Sequence, residues 1–534
     1  MASLRSRGIQ LSILAALSLF LIILALQSSS LQEQVLKTTI PKPATHSTAP
    51  STIAVPLPVP ESVSTPPSAS ITGSPSAPPP APEYNPPHPI YKPTPSAKQL
   101  PPVIDNFPLA AAAHSASELP PVPSWNQPPN PHVPENTPLF IGFTRNWRVL
   151  QQAVVSYIAA GWPAEDIFVV ENTGVMDSNK HGRLSLQNPF FLNHTRLDLL
   201  GVNVLITPTL FTFAQLQNFY LWTAIQRGWE SYFWGHMDIV VLGYEGGPEV
   251  VTNASSHSTT PDAYRSLYAH AVETLRETDT TDWSPGPEQE WDNSHGPPEN
   301  WAPSIQQPPL PEQLTSKRWA ARFFHYDHLA LVQTKAFEEV GGWDTSIPFY
   351  MTDCDMHERL FMRGFRITDA KAGHIFDVGT SFDDIEVLYR KKSADGNMRN
   401  ATFININKLL ESDDDGELQA LNSHVPDSVP TRGDRVWEED GFNSSSFDNL
   451  LAVAKQMQTA KATGKKGRNT WQTRQRGGEG DPYYRDAQGF EDSITMAIEH
   501  GRRVYREKWG HRDCDLINSG LHADDAWRVL HDWD

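Results

Sequence analysis

LFIGFTRNWRVLQQAVVSYIAAGWPAEDIFVV, residues 139–170, is the stretch that decides the fold class of this chain. Residues 139–144 form a short apolar run, which predicts a buried strand. Apolar residues then recur at helical spacing over 149–158, and Gly161 ends the predicted helix. Residues 166–170 lead into a second buried strand. A strand, a helix and a strand in this order predict a parallel sheet wound with right-handed crossovers.

The alternation of strands and helices continues along the chain, so the fold class is predicted to be α/β with a mixed, mostly parallel sheet. Ligands bind such sheets at the carboxyl ends of their strands. The further elements expected are strands at 202–207, 232–242 and 365–368, and helices at 213–227, 262–276 and 493–508. Ordered structure is also expected at 322–332, with a short helix after it.

Proline is distributed unevenly. The chain of 534 residues holds 46 prolines, and 29 of them fall between residues 31 and 138. A segment so rich in proline, serine and threonine buries too little apolar surface to fold, whereas the rest of the chain has a globular composition. A net charge of −19 disfavours nucleic-acid binding, so no nucleic-acid partner is expected.

One long apolar run marks the amino terminus. Arg5 and Arg7 precede a span at 9–27, and positive charge before a single span keeps the amino terminus cytoplasmic. The sequence predicts a cytoplasmic tail at 1–8 and a type II signal-anchor in the Golgi or endoplasmic reticulum membrane, with the remainder lumenal. A cleaved signal peptide is the alternative, and it delivers the chain to the same lumen. Residues 28–137 are then a disordered Pro/Ser-rich stem.

The head is predicted to follow the stem in three parts. A catalytic domain is expected at 138–410, with an insertion at 279–315 that is rich in proline and acid. A variable loop region follows at 411–482, and a helical closing segment at 483–534.

Two kinds of residue fit a lumenal head. Cys354 and Cys514 are the only cysteines, and in an oxidising lumen they are expected to form a disulfide; buried free thiols are the alternative. N-glycosylation sequons occur at Asn193, Asn253, Asn400 and Asn443.

A polar triplet interrupts the apolar run predicted as the strand 232–242. His236 and Asp238 share one face of a regular strand, and burying them costs free energy unless a partner satisfies them. A carboxylate and an imidazole together can hold a divalent metal ion. The alternative is an Asp238 that caps a turn beside a packed core histidine.

A second polar group follows the sequence VGGWD at 340–344. Asp353 and Asp355 begin a predicted helix, and His374 comes after the strand at 365–368. Acids at a helix start are often only complements of the helix dipole, but the same position suits a general base.

The order of these motifs resembles inverting glycosyltransferases of the GT-A fold, particularly family 2. In that family an Asp-x-Asp-like motif at a strand end binds the metal and the nucleotide diphosphate; "VGGxD", "EDxDLxxR" and often a metal-binding His follow. The matching residues are His236 and Asp238, Val340–Asp344, Asp353, Asp355 and Arg359, and His374, and the resemblance covers 139–395.

The resemblance implies a metal-dependent, inverting hexosyl- or N-acetylhexosaminyl-transferase that moves a sugar from a nucleotide-sugar donor to a glycan or glycoprotein. Asp353 is the implied base. The implied ligands of Mn²⁺ or Mg²⁺ are Asp238, His374 and His236. The implied donor contacts are Thr144, Arg145, Glu171, Asn218 and Asp238, and the implied acceptor contacts are Trp343, Asp344 and Asp355.

Two positions depart from the family pattern. His236 replaces the first acid of Asp-x-Asp, and Thr352 replaces the Glu that precedes the base. Both departures favour an alternative from another class, a non-catalytic, membrane-tethered binding or scaffold protein with a degenerate GT-A domain. A retaining or nucleotidyl-transferring relative on the same sheet is a further alternative. A glycoside hydrolase is disfavoured, because Asp353 and Asp355 share one short segment instead of facing each other.

Overall fold

The computed structural model describes residues 88–91, 102–247, 260–280, 318–393, 396–397, 399–404, 437–463 and 477–533. The chain divides into two units, 1–93 and 94–534, and every element below belongs to the second. The predicted span 9–27, most of the predicted stem, nearly all of the insertion 279–315 and Asn253 lie outside the described residues. Among the described residues, no helix has the length and apolarity needed to cross a membrane.

Seven strands form the main sheet, in the order β3-β2-β1-β4-β7-β6-β8. The pairs β1–β2, β2–β3, β1–β4 and β6–β8 are parallel, and β4–β7 and β6–β7 are antiparallel. The predicted α/β class with a mixed, mostly parallel sheet is therefore confirmed. The strands are β1 (Leu139–Phe143), β2 (Ile167–Glu171), β3 (Asn203–Ile206), β4 (Ser231–Gly235), β5 (Ile239–Leu242), β6 (Trp319–Phe323), β7 (Leu329–Gln333), β8 (Arg366–Asp369) and β9 (His374–Asp377).

The prediction of a single strand over 232–242 is wrong. β4 ends at Gly235, and β5 belongs to a second, two-stranded sheet in which it pairs antiparallel with β9. The chain leaves the first sheet at His236, whose backbone N–H donates to the carbonyl of His328 at 3.0 Å. Residues 322–332, predicted only to be ordered, belong to two strands, β6 and β7, and to the turn 324–328 that joins them.

Helices cover both faces of the main sheet. The helices are α1 (Pro108–Ala112), α2 (Trp147–Ala159), α3 (His194–Leu199), α4 (Phe213–Arg227), α5 (Leu267–Thr280), α6 (Thr334–Glu339), α7 (Thr352–Met362), α8 (Ser445–Ala462) and α9 (Ala487–Trp509). α4 shows how local sequence sets these bounds. Thr212 and Gln215 form a capping box at its start, and Gly228 ends it in the left-handed conformation at φ 67°.

β1 separates two apolar cores, because its side chains alternate between the faces of the sheet. Leu139, Ile141 and Phe143 point into one core, and Phe140 points into the other. Gly142 is required by close approach, since a Cβ there would lie 2.4 Å from the hydroxyl of Tyr220 on α4. The apolar run at 139–143 thus becomes a strand of a sheet that is buried on both faces.

The packed domain begins before residue 138, contrary to the predicted boundary of the stem. Phe107 and Leu109 are buried in the core of the sheet, and Phe107 stacks on Tyr389. Asp105 pairs with Arg196 at 2.9 Å. Aromatic and aliphatic residues at 102–137 therefore fold onto the head although proline dominates the composition around them.

The region 411–482, predicted as variable loop, contains a long helix. α8 buries Leu450, Leu451 and Met457 in the first core, on the side of the small sheet. Its last turn carries Lys461 inward, and Lys461 is only 4% exposed.

Candidate active site

The topology marks one edge of the main sheet as the place for a ligand. β1 has β2 on one side and β4 on the other, so the strand order reverses there, and ligands bind open α/β sheets at such a point. The turn 324–328 reaches the same edge, because β7 runs antiparallel to β4 with Leu329 opposite Gly235. We call this edge the cleft.

His236 follows β4 into the cleft and lies between two carboxylates. Its Nδ1 is 3.6 Å from Oδ1 of Asp238, and its Nε2 is 3.7 Å from Oδ2 of Asp327. Burial acts to lower the pKa of His236, but Asp327 and Asp238 outweigh it and raise that pKa to about 10. His236 is therefore a cation at neutral pH, with a quarter of its side chain exposed.

Lys461 reaches the cleft from α8 and bridges two buried acids. Its Nζ donates to Oδ2 of Asp238 at 2.6 Å and to Oδ1 of Asp377 at 2.6 Å. Burial raises the pKa of Asp238, but Lys461 and His236 more than offset that effect and hold it well below its usual range. His328 also approaches Asp377, with its Nε2 3.5 Å from Oδ1. A charged network thus closes around Asp238.

The residues implied as metal ligands do not fit a metal ion. Lys461 already occupies the space against Asp238 in which a cation would lie. His374 is opposite Leu242 in the β5–β9 pairing, whereas Ile239, the residue after Asp238, is opposite Asp377. Asp238 is four residues before Leu242, so about 13 Å of strand separates it from His374. Within the described residues the grouping of three potential metal ligands lies elsewhere, at His511, Asp513 and Asp515.

His374 has surroundings of a different kind. Its ring packs edge-on against Tyr244 at 4.8 Å, and the side chain is largely buried. Burial, together with the positive charge of Lys455, lowers the pKa of His374 to about 4. His374 is a neutral, packed histidine at neutral pH, which corrects its assignment as a metal ligand.

Asp353 stands at the start of α7 on the cleft side, partly exposed. The hydroxyl of Tyr326, in the turn 324–328, donates to its Oδ2 at 3.4 Å. Burial and the nearby charge of Asp327 raise the pKa of Asp353, and His357 opposes them. A carboxylate in this setting accepts a proton more readily than an ordinary aspartate.

Strained backbone surrounds the same cleft. Asn146, Tyr326 and Met351 adopt left-handed conformations, at φ 75°, 49° and 75°. Such conformations cost free energy in residues other than glycine and cluster at functional sites. Tyr326 lies within the turn 324–328, Met351 comes two residues before Asp353, and Asn146 comes two residues after Thr144.

Asp355 has a structural role instead of the predicted acceptor contact. It is completely buried and accepts hydrogen bonds from Nε of Arg359 at 2.9 Å and from the indole of Trp509 at 3.0 Å. The Nζ of Lys508 lies 2.7 Å from Oδ1 of Asp355, the same oxygen that accepts from Trp509. Arg359 in turn donates to the carbonyls of Val340 and Gly342, so Asp355 holds the VGGWD loop against α7.

The remaining residues implied for the acceptor and the diphosphate are also engaged within the protein. Trp343 is 5% exposed and packs edge-on against Phe213, so it offers no face to a sugar ring. Asn218 exchanges two hydrogen bonds of 2.8 Å with the backbone of Trp343. Asp344 pairs with Lys508 at 2.7 Å.

The residues implied for the nucleoside follow β1 and β2. Thr144 is partly exposed, and Arg145 is buried under α9, 3.7 Å from Glu491. Glu171 is 1% exposed, and its oxygens accept from Asn179 and pair with His194. Among these, Thr144 is accessible for a ligand contact, whereas Glu171 is enclosed by its own network.

The C-terminal segment, residues 477–533, is fastened across the site. Cys354 and Cys514 are joined by a disulfide, the pairing favoured from the sequence, with Cα atoms 5.2 Å apart. Glu358 accepts from the N–H of Ile517 at 3.1 Å. At the other end of the C-terminal segment, Arg485 donates to the carbonyl of Thr173 in the loop after β2.

Several cleft residues were missed in the sequence. Asp327 and His328 belong to the sequence HYDH at 325–328, where four titratable side chains separate two apolar runs. That interruption was a usable signal for a turn at a site. Asp377 and Lys461 gave no such signal, because their roles depend on long-range pairing.

Of the predicted sequons, three lie in described residues. Asn400 is exposed, whereas Asn193 and Asn443 are partly buried, and Asn193 caps α3 by accepting from the N–H of Arg196. Their glycosylation stays a prediction.

No protein-family model and no curated protein matches this chain. Among solved structures, it is similar to the mannosyltransferase PcManGT from Pyrobaculum calidifontis in complex with GDP-Man and Mn²⁺. The identity is 13% and the TM-score 0.23, over 47% of this chain and 58% of that chain. It is also similar to TarS of S. aureus, at 9% identity and a TM-score of 0.25, over 45% of this chain and 36% of that one. The chain thus spans less than two thirds of either protein, and likeness at this level transfers no residue role.

Proposed function

We propose that this chain is a glycosyltransferase, which moves a sugar from a nucleoside-diphosphate donor to a hydroxyl of a glycan or glycoprotein. The observation that carries the proposal is the position of Asp353. It is a partly exposed carboxylate at a helix start, in the cleft at the switch point of the sheet, within the charged cluster that holds the cation His236.

In the proposed reaction Asp353 is the general base. The acceptor oxygen forms a bond to the anomeric carbon of the donor while the bond from that carbon to the phosphate oxygen breaks. The electron pair of the broken bond leaves with the nucleoside diphosphate, and the proton of the hydroxyl passes to Asp353. Attack from the face opposite the leaving group inverts the anomeric configuration. A raised pKa helps Asp353 to accept the proton.

One cation of the cleft, His236, supports a diphosphate ligand. His236 is cationic and has a quarter of its side chain exposed. Thr144, at the end of the neighbouring strand β1, is the accessible polar residue on the side proposed for the nucleoside. A preorganised positive group near the diphosphate stabilises the charge that develops on the leaving group.

The test is a screen of nucleotide sugars with the purified full-length chain. We expect release of a nucleoside diphosphate in the presence of one donor, and NMR of the product should show an inverted anomer. A retained anomer would favour a retaining relative on the same sheet. Absence of turnover with every donor would refute the proposal.

A second candidate is a non-catalytic binding protein. Glu171 is buried and Asp238 is paired with Lys461, so two residues implied for donor binding are already engaged within the protein. This engagement favours a non-catalytic role. Saturable binding of a nucleotide sugar without any turnover would distinguish this candidate from the enzyme.

We further propose that the head works in the secretory lumen, tethered to the Golgi or endoplasmic reticulum membrane by the span at 9–27. The disulfide between Cys354 and Cys514 supports an oxidising compartment. In a protease-protection assay on intact microsomes, the head should resist digestion until detergent is added. Digestion without detergent would contradict a lumenal head.

A further inference from the structure

The pair Asp238 and Asp377 is an unusual feature of the cleft because both acids are buried, each 7% exposed. Asp238 comes just before β5, and Asp377 is the last residue of β9. Because the two strands are antiparallel, both acids lie at the same end of the small sheet. Two carboxylates buried together repel each other and lose their hydration, so they need a positive charge between them.

Lys461 supplies that charge from outside the sheet. It lies 223 residues after Asp238, on the last turn of α8, and donates to one oxygen of each acid at 2.6 Å. The side chain is 2% exposed, so water contributes little to balancing the carboxylates. The ammonium group of Lys461 therefore links α8 to both acids through hydrogen bonds.

The position of the ammonium group is that of a bridging cation. Divalent ions bind carboxylate oxygens at about 2.0–2.6 Å, so an ion shared by these two oxygens would need the space that Nζ fills. An ion placed on the other oxygen of Asp238, Oδ1, would instead face His236, whose Nδ1 is 3.6 Å from that oxygen. His236 and Lys461 would both repel it.

We propose that Lys461 is the resident cation of this site and that a nucleoside diphosphate binds in the cleft without a divalent metal ion. The identity of the ligand rests on the proposed function, but the position of the cation does not. The proposal replaces the metal implied by the family resemblance with an amino group of the chain itself.

The first experiment measures Mn²⁺ binding by electron paramagnetic resonance, with the full-length wild-type chain and Lys461→Ala. In the variant the two acids lose their partner, and we expect Mn²⁺ to bind at least tenfold more tightly than to the wild type. Asp238→Asn, added to Lys461→Ala, should abolish that gain. Lys455→Ala is the matched control, a lysine of the same helix that makes neither contact, and it should bind Mn²⁺ as the wild type does.

If Lys461→Ala does not fold, Mn²⁺ binding to the wild type and to Asp238→Asn tests the proposal. Stoichiometric Mn²⁺ binding to the wild type that Asp238→Asn removes would overturn the proposal, and so would a folded Lys461→Ala that gains no binding. Wild-type binding unaffected by Asp238→Asn would belong to another part of the chain and would support the proposal.

The second experiment measures UDP and GDP binding by calorimetry, in EDTA and in Mn²⁺. We expect the affinity of the bound nucleotide to agree within twofold between the two conditions. Binding in Mn²⁺ alone would overturn metal independence. If neither nucleotide binds in either condition, the proposed function fails, while the Mn²⁺ measurement still judges the position of the cation.

Discussion

Asp353 and Asp355 stand two residues apart at the start of α7, and their surroundings give them different chemistry. Asp353 is partly exposed and has a raised pKa, so it can exchange a proton with a ligand. Asp355 is completely buried and is held by Arg359, Trp509 and Lys508. Asp353 is therefore suited to a proton transfer, and Asp355 to holding α7 and its neighbours in place.

The substitution Asp353→Asn keeps the shape of the side chain and removes its basicity. We expect turnover to fall by about 10²–10⁴-fold, the usual contribution of a positioned general base, while the Kd for the donor stays within twofold. Steady-state kinetics and calorimetry measure the two quantities. Full transfer activity in Asp353→Asn would show that the base lies elsewhere.

Asp355→Asn is the matched comparison for that substitution. It leaves Arg359 and Lys508 without their charged partner in the interior, which should lower the free energy of unfolding by about 3–5 kcal/mol. Denaturant unfolding measures the loss. A wild-type stability combined with lost activity would instead place Asp355 in direct contact with the ligand.

Glu358 makes the stability depend on pH. Burial raises its pKa from 4.5 to about 7, so between these pH values the folded chain binds the proton more tightly than the unfolded chain. Stability should therefore fall as pH rises from 4.5 to 7, by on the order of 3 kcal/mol. Glu358→Gln keeps an acceptor for Ile517 and should remove this contribution. Equal pH profiles of unfolding for the two chains would contradict the assignment.

Local sequence was a good guide to the position of Asp353 and a poor guide to the partners of Asp238. A carboxylate at a helix start after VGGWD is defined by neighbours within 15 residues, and the chain has them in order. The partner of Asp238 is 223 residues away, on a helix whose approach to the site depends on the packing of α8 against β9. The local sequence around Asp238 and the local sequence around Lys461 contain no pattern that predicts this contact.

At the scale of elements, β4 and β5 show where a pattern misleads. A mostly apolar segment over 232–242 predicts one strand, yet β5 pairs with β9, more than 130 residues later. Both strands are buried on both faces, so they carry the same composition although they belong to different sheets. The polar triplet at His236 was the sign of the break, and its interpretation as one face of a regular strand was wrong.

α7 is joined to the C-terminal segment by the disulfide to Cys514, which follows α9, and by the hydrogen bond from Trp509 of α9 to Asp355. Gly501 lets α9 approach the loop before α7, since a Cβ there would lie 2.9 Å from Pro348. Because Cys354 and Cys514 are 160 residues apart, chain-entropy models attribute on the order of 4–5 kcal/mol to the bond.

Removal of this disulfide should destabilise the head and loosen the C-terminal segment. We expect Cys354→Ser with Cys514→Ser to lower the Tm, and limited proteolysis to cut first within 477–533. The wild type treated with a reductant should behave like the variant. An unchanged Tm and proteolysis pattern would show that packing alone holds α9.

At the scale of the whole molecule, composition located the globular part but not its boundary. The count of prolines assigns 102–137 to the stem, whereas Phe107 and Leu109 fill the core beside α2 and Tyr389. Composition is an average over many residues, so it does not reveal that Phe107 and Leu109 pack against residues from a distant part of the chain. The alternation of strands and helices from 139 onward, which depends on local periodicity, was read correctly.

Truncation tests this boundary. A chain that begins at residue 102 should unfold at nearly the Tm of the full chain, whereas one that begins at 138 loses Phe107, Leu109 and the ion pair of Asp105. Phe107→Ala in the full chain is the matched control and should cost about 3–5 kcal/mol. Equal stability of the two truncated chains would mean that 102–137 contributes nothing to the fold.

The bond between Cys354 and Cys514 also has a consequence for biosynthesis. Chains are made at about 5–20 residues per second, so Cys354 emerges roughly 8–32 seconds before its partner exists. During that interval the thiol beside the proposed base is open to pairing with a second nascent chain. A pulse-chase experiment on non-reducing gels should therefore show early mixed disulfides that resolve to the monomer, and these should be absent from Cys354→Ser.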